Sequence, residues 1–155
     1  RGAWEAEGLA IDWIQDNHSY SAPVGTVRGC HFQLPPTAQD KLVRVIRGAV
    51  YDVAIDIRRG SPTYGKWVGC ELSAAKWNQL LVPIGFAHVF MTLEPDTEVT
   101  YKVSAPYSKA DERAIRWDDP ALGIDWPDLG PVTITDKDRD APLLADFDSP
   151  FIYQG

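Results

Sequence analysis

Two of the chain's three histidines sit in short apolar runs whose residue types suit acid–base chemistry. His31 lies in Arg28-Gly29-Cys30-His31-Phe32-Gln33, and His88 in Pro83-Ile84-Gly85-Phe86-Ala87-His88. The second run has the Pro-x-Gly-x-x-His spacing of a tight turn feeding a strand. Imidazole titrates near pH ~6.5, so either side chain can take and return protons at neutral pH. The rival use, a metal site, needs several ligands in suitable geometry. Position 33 is glutamine where a second histidine would be wanted, no glutamate follows nearby, and only Asp52 remains to help. No metal is therefore expected. On position alone, each histidine is more often a hydrogen-bonded structural residue than a functional one.

Other groups have the right chemistry and a bland alternative. Tyr101, in Thr100-Tyr101-Lys102, is either an aromatic packed at a sheet edge or a phenol that donates a proton. Lys41 opens a strand, where a solvated lysine is the default. Asp138 belongs to the charge run Lys137-Asp138-Arg139-Asp140. Arg28, Lys41, Arg44 and Arg47 form a basic set that could meet one small anionic ligand. Arg28 is three residues from His31, hence on the opposite face of a regular strand, whereas Gln33 shares the face of His31.

These groups must be carried by strands. Residues 4–10 are expected to form a helical turn and Leu9 to Ile14 a strand, followed by a polar turn at Gln15-Asp16-Asn17-His18-Ser19 with His18 solvated. Val24 to Gln33 reads as a strand stopped by Pro35-Pro36. Two β-branched runs around Gly48, within Lys41 to Ile57, signal a hairpin. In the second run Tyr51, Val53, Ile55 and Ile57 share one face, with Asp52, Ala54 and Asp56 on the other. Further strands are expected at Lys66–Leu72, Asn78–Val82, Val89–Leu93 and Glu98–Val103. After Trp117 the chain is turn-rich and acidic, as a tail wrapped on a barrel would be. Short strands at regular spacing, punctuated by Gly and Pro, indicate an all-β sandwich or barrel in one domain over residues 1–155.

Composition narrows the class of partner. The chain has 155 residues, 45% hydrophobic and 24% charged, with a formal net charge of −7. That sign opposes binding to a nucleic acid polymer, which needs clustered basic charge. No apolar run approaches the ~20 residues of a membrane span, and no signal peptide is visible. Cys30 and Cys70 lack Cys-x-x-Cys spacing and are expected to be buried free thiols, which fits a cytoplasmic location.

The two histidine runs together resemble the motif regions of a cupin-type jelly-roll barrel. In order along the chain, QDNHS (15–19), VRGCHFQ (27–33), AQDKLVRV (38–45) and GAVYDVAIDIRRGSPTYGKWVGCELSA (48–74) resemble the dTDP-4-dehydrorhamnose 3,5-epimerase family. PIGFAHVF (83–90), TYK (100–102), IRWDDPALGIDWP (115–127) and DKDRDAPLL (136–144) continue the match. The resemblance implies an isomerase without a cofactor, acting on a dTDP-4-keto-6-deoxysugar in a homodimer. It implies that His31 is the general base, paired with Asp138, and that Tyr101 is the opposing acid. It further implies that Arg28, Lys41, His88, Glu112 and Lys137 line the site, with Tyr107 an aromatic partner for thymine or sugar. Gln15 and Asn17 would form a nucleotide-contacting turn set against a neighbouring subunit. Arg1 matches an arginine of the family's Arg-Gly stretch, across a segment shorter than usual, so residues 1–14 are expected to be a truncated or atypical arm. Rival readings are an epimerase of one carbon only, a non-catalytic sugar-nucleotide-binding cupin, and a metal-dependent dioxygenase.

Overall fold

Residues 5–155 are described by a computed structural model of the chain. Among them, Glu5 and Ala6 are helical, and Gly8 N donates to Glu5 O, which is the described part of the expected N-terminal turn. The strands are β1 (Gln15–Ser21), β2 (Val27–Gln33), β3 (Lys41–Arg47), β4 (Ala49–Asp56) and β5 (Trp67–Ser73). They continue with β6 (Gln79–Val82), β7 (Phe86–Thr92), β8 (Thr97–Val103) and β9 (Glu112–Ala114). A short helix, α1 (Asp136–Arg139), and a 3₁₀ turn at Leu144–Asp146 follow the strands. The strands make two antiparallel sheets, ordered β1-β8-β3-β6 and β5-β4-β7-β2-β9. This is the cupin-type jelly roll expected from the sequence. No helix among the described residues is long and apolar enough to cross a membrane.

Three expectations are corrected. The β-branched runs on either side of Gly48 do not form a hairpin, because β3 pairs with β6 and β8 while β4 pairs with β5 and β7. The chain changes sheets at Gly48, whose φ of 77° is left-handed and whose absent Cβ would meet Thr97 Oγ1 at 2.3 Å. A sandwich corner and a hairpin turn both need glycine, so the residue marks the bend without naming the partner. Secondly, Leu9 to Ile14 is not a strand, and Gln15–Ser19 is not a turn but most of β1. β1 is an edge strand whose exposed and half-buried positions alternate. Polar residues suit both of its faces, one toward solvent and one toward a polar cavity. Lastly, Cys30 and Cys70 are both free, but only Cys30 is buried.

The core has two layers. Between the sheets lie Val43, Val45, Val50, Ala54, Leu72, Val82, Phe90 and Val99. On the other face of the second sheet, Val53, Ile55, Ile57, Val89 and Met91 pack under Leu122, Leu144 and Phe151 of the C-terminal segment. The central strand β4 is therefore buried on both faces, and its alternation separates two cores. Each fully buried aliphatic side chain contributes about 1.5–3 kcal/mol.

The tail is fixed by specific contacts. Phe32 meets Phe147 edge-on at 4.9 Å, Tyr51 meets Trp126 at 5.9 Å, and Arg59 bridges to Ile152. Arg58 is stacked between Phe86 and Tyr153 and forks onto buried Asp56. The consequence for function is placement, since the ordered tail carries α1 to the mouth of the sandwich.

Candidate active site

The site begins with an irregularity in β2. Arg28 pairs with Phe90 and His31 with His88, so two residues of β2 span one residue of β7. This bulge turns both Arg28 and His31 toward the same cavity, where a regular strand would separate them. Gly29 makes it possible. Its φ is 128°, and a Cβ there would lie 2.4 Å from the His88 carbonyl oxygen and 2.7 Å from Val89. The opposite-face placement of Arg28 is thus corrected by one extra residue.

His31 Nε2 lies 2.6 Å from Asp138 Oδ1. Asp138 is brought there by α1, whose N-cap Thr135 accepts from the Asp138 amide through its side chain. Burial works against the Asp138 charge, but the hydrogen bond and charge of His31, with the Gly29 amide and Thr135, hold its carboxyl below the usual range. The ionised carboxylate accepts from Nε2–H, which leaves Nδ1 as the ring nitrogen free to act as a base. A second pair lies beside the first: His88 Nε2 is 2.6 Å from Asp52 Oδ1, both buried, while Asp52 Oδ2 has no partner. Sequence reasoning missed this role for Asp52. Its signal was an acid on the inward face of a strand whose neighbours Val50 and Ala54 are apolar.

Tyr101 faces these histidines from the other sheet, on β8. Burial raises its phenol, with Glu112 and Tyr107 adding to the effect and Arg28 opposing it, so it stays protonated and able to donate. Lys41 is buried at the start of β3, and burial lowers its ammonium to about 8 against the pull of Glu112 and Asp52. At the rim, Glu112 accepts from Lys137 at 2.5 Å and from Tyr107 at 3.1 Å. Burial opposes the Glu112 charge, but these two bonds keep its carboxyl low.

A cavity of about 300 Å³ is lined by Arg28, His31, Lys41, His88, Tyr101 and Asp138, with Glu112 and Lys137 at its side. A smaller adjoining one, about 80 Å³, adds Asn17 and Tyr107 to His31, Lys41, Tyr101 and Glu112. Gln15 joins through bonds to Asn17 Oδ1 and from the Tyr107 amide. Every site residue expected from the sequence within the described chain is therefore gathered at one place. Arg1 lies outside the described residues. Gln15 and Asn17 sit on edge strand β1, not on a projecting turn. His18 is on the opposite face of β1, exposed and 2.8 Å from Glu98. Ser19, Phe90 and Thr135 also line the main cavity and were not anticipated. No group of three or more His, Cys, Asp and Glu side chains among the described residues could hold a metal ion.

The arrangement suits proton removal and return on a small molecule held between the sheets. An imidazole with its carboxylate stands on one sheet, and a protonated phenol and a buried ammonium stand on neighbouring strands of the other. Comparison with known proteins agrees. The sequence profile of the dTDP-4-dehydrorhamnose 3,5-epimerase family matches residues 1–146. A Sinorhizobium fredii protein of that name is 53% identical over 154 residues, which is 99% of this chain and 79% of the relative. A Legionella pneumophila dTDP-6-deoxy-D-glucose-3,5-epimerase, solved with dTDP-4-keto-L-rhamnose, superposes with a TM-score of 0.94 at 41% identity, over 99% of this chain and 82% of that one. A 3'-monoepimerase from Streptomyces bikiniensis, solved with dTDP-quinovose, gives 0.86 at 34% identity, over 94% and 74%. The chain belongs to the dTDP-4-dehydrorhamnose 3,5-epimerase family.

Proposed function

We propose that this chain inverts a dTDP-4-keto-6-deoxyhexose at carbons 3 and 5, in the making of a rhamnose-type sugar, by base and acid catalysis with no cofactor. The observation that carries the proposal is the His31–Asp138 pair at 2.6 Å facing Tyr101 from the opposite sheet across one cavity. Both reacting protons are α to the ring carbonyl, so loss of either gives an enolate. Inversion requires removal from one face and return to the other, which a base and an acid on opposing sheets supply. His31 Nδ1 takes the proton, and the imidazolium is stabilised by Asp138. Negative charge then develops on the carbonyl oxygen, where the Lys41 ammonium or the His88 ring stabilises it. One preorganised donor at such an oxygen contributes about 3–4 kcal/mol. Tyr101 delivers a proton to the other face, and solvent resets both residues. Arg28 anchors the diphosphate, Glu112 and Lys137 fix the rim, and Gln15, Asn17 and Tyr107 meet the nucleotide.

The identity to the double epimerase of S. fredii, well above that to the 3'-monoepimerase, favours action at two carbons. Incubation with the 4-keto sugar nucleotide in deuterated water tests this. Deuterium at carbons 3 and 5 is expected. Uptake at carbon 3 alone makes the protein a mono-epimerase, and none at either makes it a binding protein.

The same reading includes a homodimer in the cytoplasm. Supporting it, β1 carries Gln15 and Asn17 at a sheet edge open to pairing with another chain. Tyr20 on the same strand remains exposed, and the two cysteines are free. Light scattering at micromolar concentration should give twice the chain mass, and a fully active monomer would contradict it.

A further inference from the structure

The inward face of β1 has an anomaly. Gln15, Asn17, Ser19 and Ser21 occupy it, opposite Val103, Tyr101, Val99 and Thr97 of β8. An inner row of a β-sandwich beside valines would ordinarily be apolar. Three of the four polar side chains have protein partners. Gln15 and Asn17 bond each other, and Ser21 Oγ accepts from Arg28 Nε at 3.1 Å. Ser19 Oγ is buried and has no hydrogen-bond partner, yet Ser19 lines the main cavity. A buried hydroxyl without a partner is costly and calls for an explanation.

Its place indicates what would pair with it. Along β1, Ser19 lies between Asn17, opposite Tyr101, and Ser21, which holds Arg28. The two protein bonds of Arg28 go to neutral oxygens, Ser21 Oγ and the Tyr20 carbonyl, so its charge is left for an anion. Between the acid that reaches the ring and the cation that holds the diphosphate lies the phosphate joined to the anomeric carbon. We infer that Ser19 donates a hydrogen bond to this β-phosphate and so sets how far the hexose ring enters between His31 and Tyr101. The inference rests on the sugar-nucleotide reading above and adds a positioning residue to it. A neutral hydroxyl suits the task, because it fixes an oxygen without adding charge beside Arg28 and Lys41.

The test is Ser19→Ala, with calorimetric binding of dTDP and of dTMP and a thermal melt of the free protein. The hydroxyl donates to a charged oxygen, so dTDP affinity should fall by about 10- to 100-fold. Binding of dTMP, which lacks that phosphate, should stay within about twofold. The melt separates this role from a structural one. Removing an unpaired hydroxyl breaks no protein bond, so the apo variant should melt at or above the parent temperature. An unchanged dTDP affinity overturns the inference, as does an equal loss for dTMP or a lower melting temperature. If the parent protein itself fails to bind dTDP, the sugar-nucleotide reading falls instead.

Discussion

Replacing Asp138 by asparagine separates the charge of the carboxylate from its shape. The side chain is 4% exposed and meets His31 Nε2 at 2.6 Å, so its charge acts on the ring with little solvent screening. Asparagine keeps the volume and an oxygen that can accept from Nε2–H, and thus the tautomer in which Nδ1 is the base. What it loses is stabilisation of the imidazolium formed as the proton leaves carbon. A hydrogen bond to a charged group contributes about 1.5–3 kcal/mol. At about 1.36 kcal/mol per tenfold in rate, kcat should drop by ~10- to 160-fold. Removing the base altogether costs about 10²–10⁴, which sets the ceiling. The assay is turnover of the 4-keto substrate together with calorimetric binding of dTDP. Binding should stay within about threefold, because in the proposed mechanism Asp138 serves the reaction and not the diphosphate. A D138N enzyme with kcat within about twofold of the parent would refute the argument. So would a loss expressed wholly in KM.

Other consequences follow from the same geometry. Tyr101→Phe keeps the ring packed but removes the proposed acid, so deuterium exchange should survive better than inversion; equal losses in exchange and epimer ratio, measured on one sample, would count against Tyr101. Lys41 is charged below about 8, so if its ammonium stabilises the enolate, kcat should decline as pH rises through that value. A flat kcat between pH 7 and 9.5 would remove Lys41 from this role. Asp56 is buried and accepts from Arg58, Ser61 and Thr63; burial raises its carboxyl, but those bonds win and hold it well below the usual range. Its stabilisation is present above the unfolded value of ~3.9 and is lost as pH falls through the folded one. Breaking such a buried pair by Asp56→Asn should cost about 3–5 kcal/mol in denaturant unfolding near pH 7, and a loss below ~1 would show that the tail latch is incidental.

The parts of the fold that depend on local pattern were legible in the sequence. The alternation over Tyr51 to Ile57 separates two cores, and the acidic stretch after Trp117 does wrap the sandwich. What depends on partners was not. Gly48 marks a bend, but whether the flanking strands pair or part rests on their other partners, β6 and β8 for β3 and β5 and β7 for β4. Gln15–Ser19 reads as a turn when polarity is equated with exposure, whereas its alternate residues face a cavity. The bulge at Gly29 shifts Arg28 by a single residue, which no period count detects; the glycine between two candidate residues is the available sign. The His31–Asp138 pair spans 107 residues and came from family resemblance, since Asp138 alone sits in an ordinary charge run. Asp52 and Ser19 follow from inward position and missing partners, both of which need coordinates.

In the proposed mechanism one base and one acid on opposing sheets act at both carbons. The most direct measurement is His31→Ala in deuterated water with the 4-keto sugar nucleotide, following carbons 3 and 5 by NMR while dTDP binding is confirmed by calorimetry. Exchange at both carbons should fall together, by about 10²–10⁴, with dTDP affinity nearly unchanged. Near-normal exchange at either carbon in the substituted enzyme would show that His31 is not the base at that carbon.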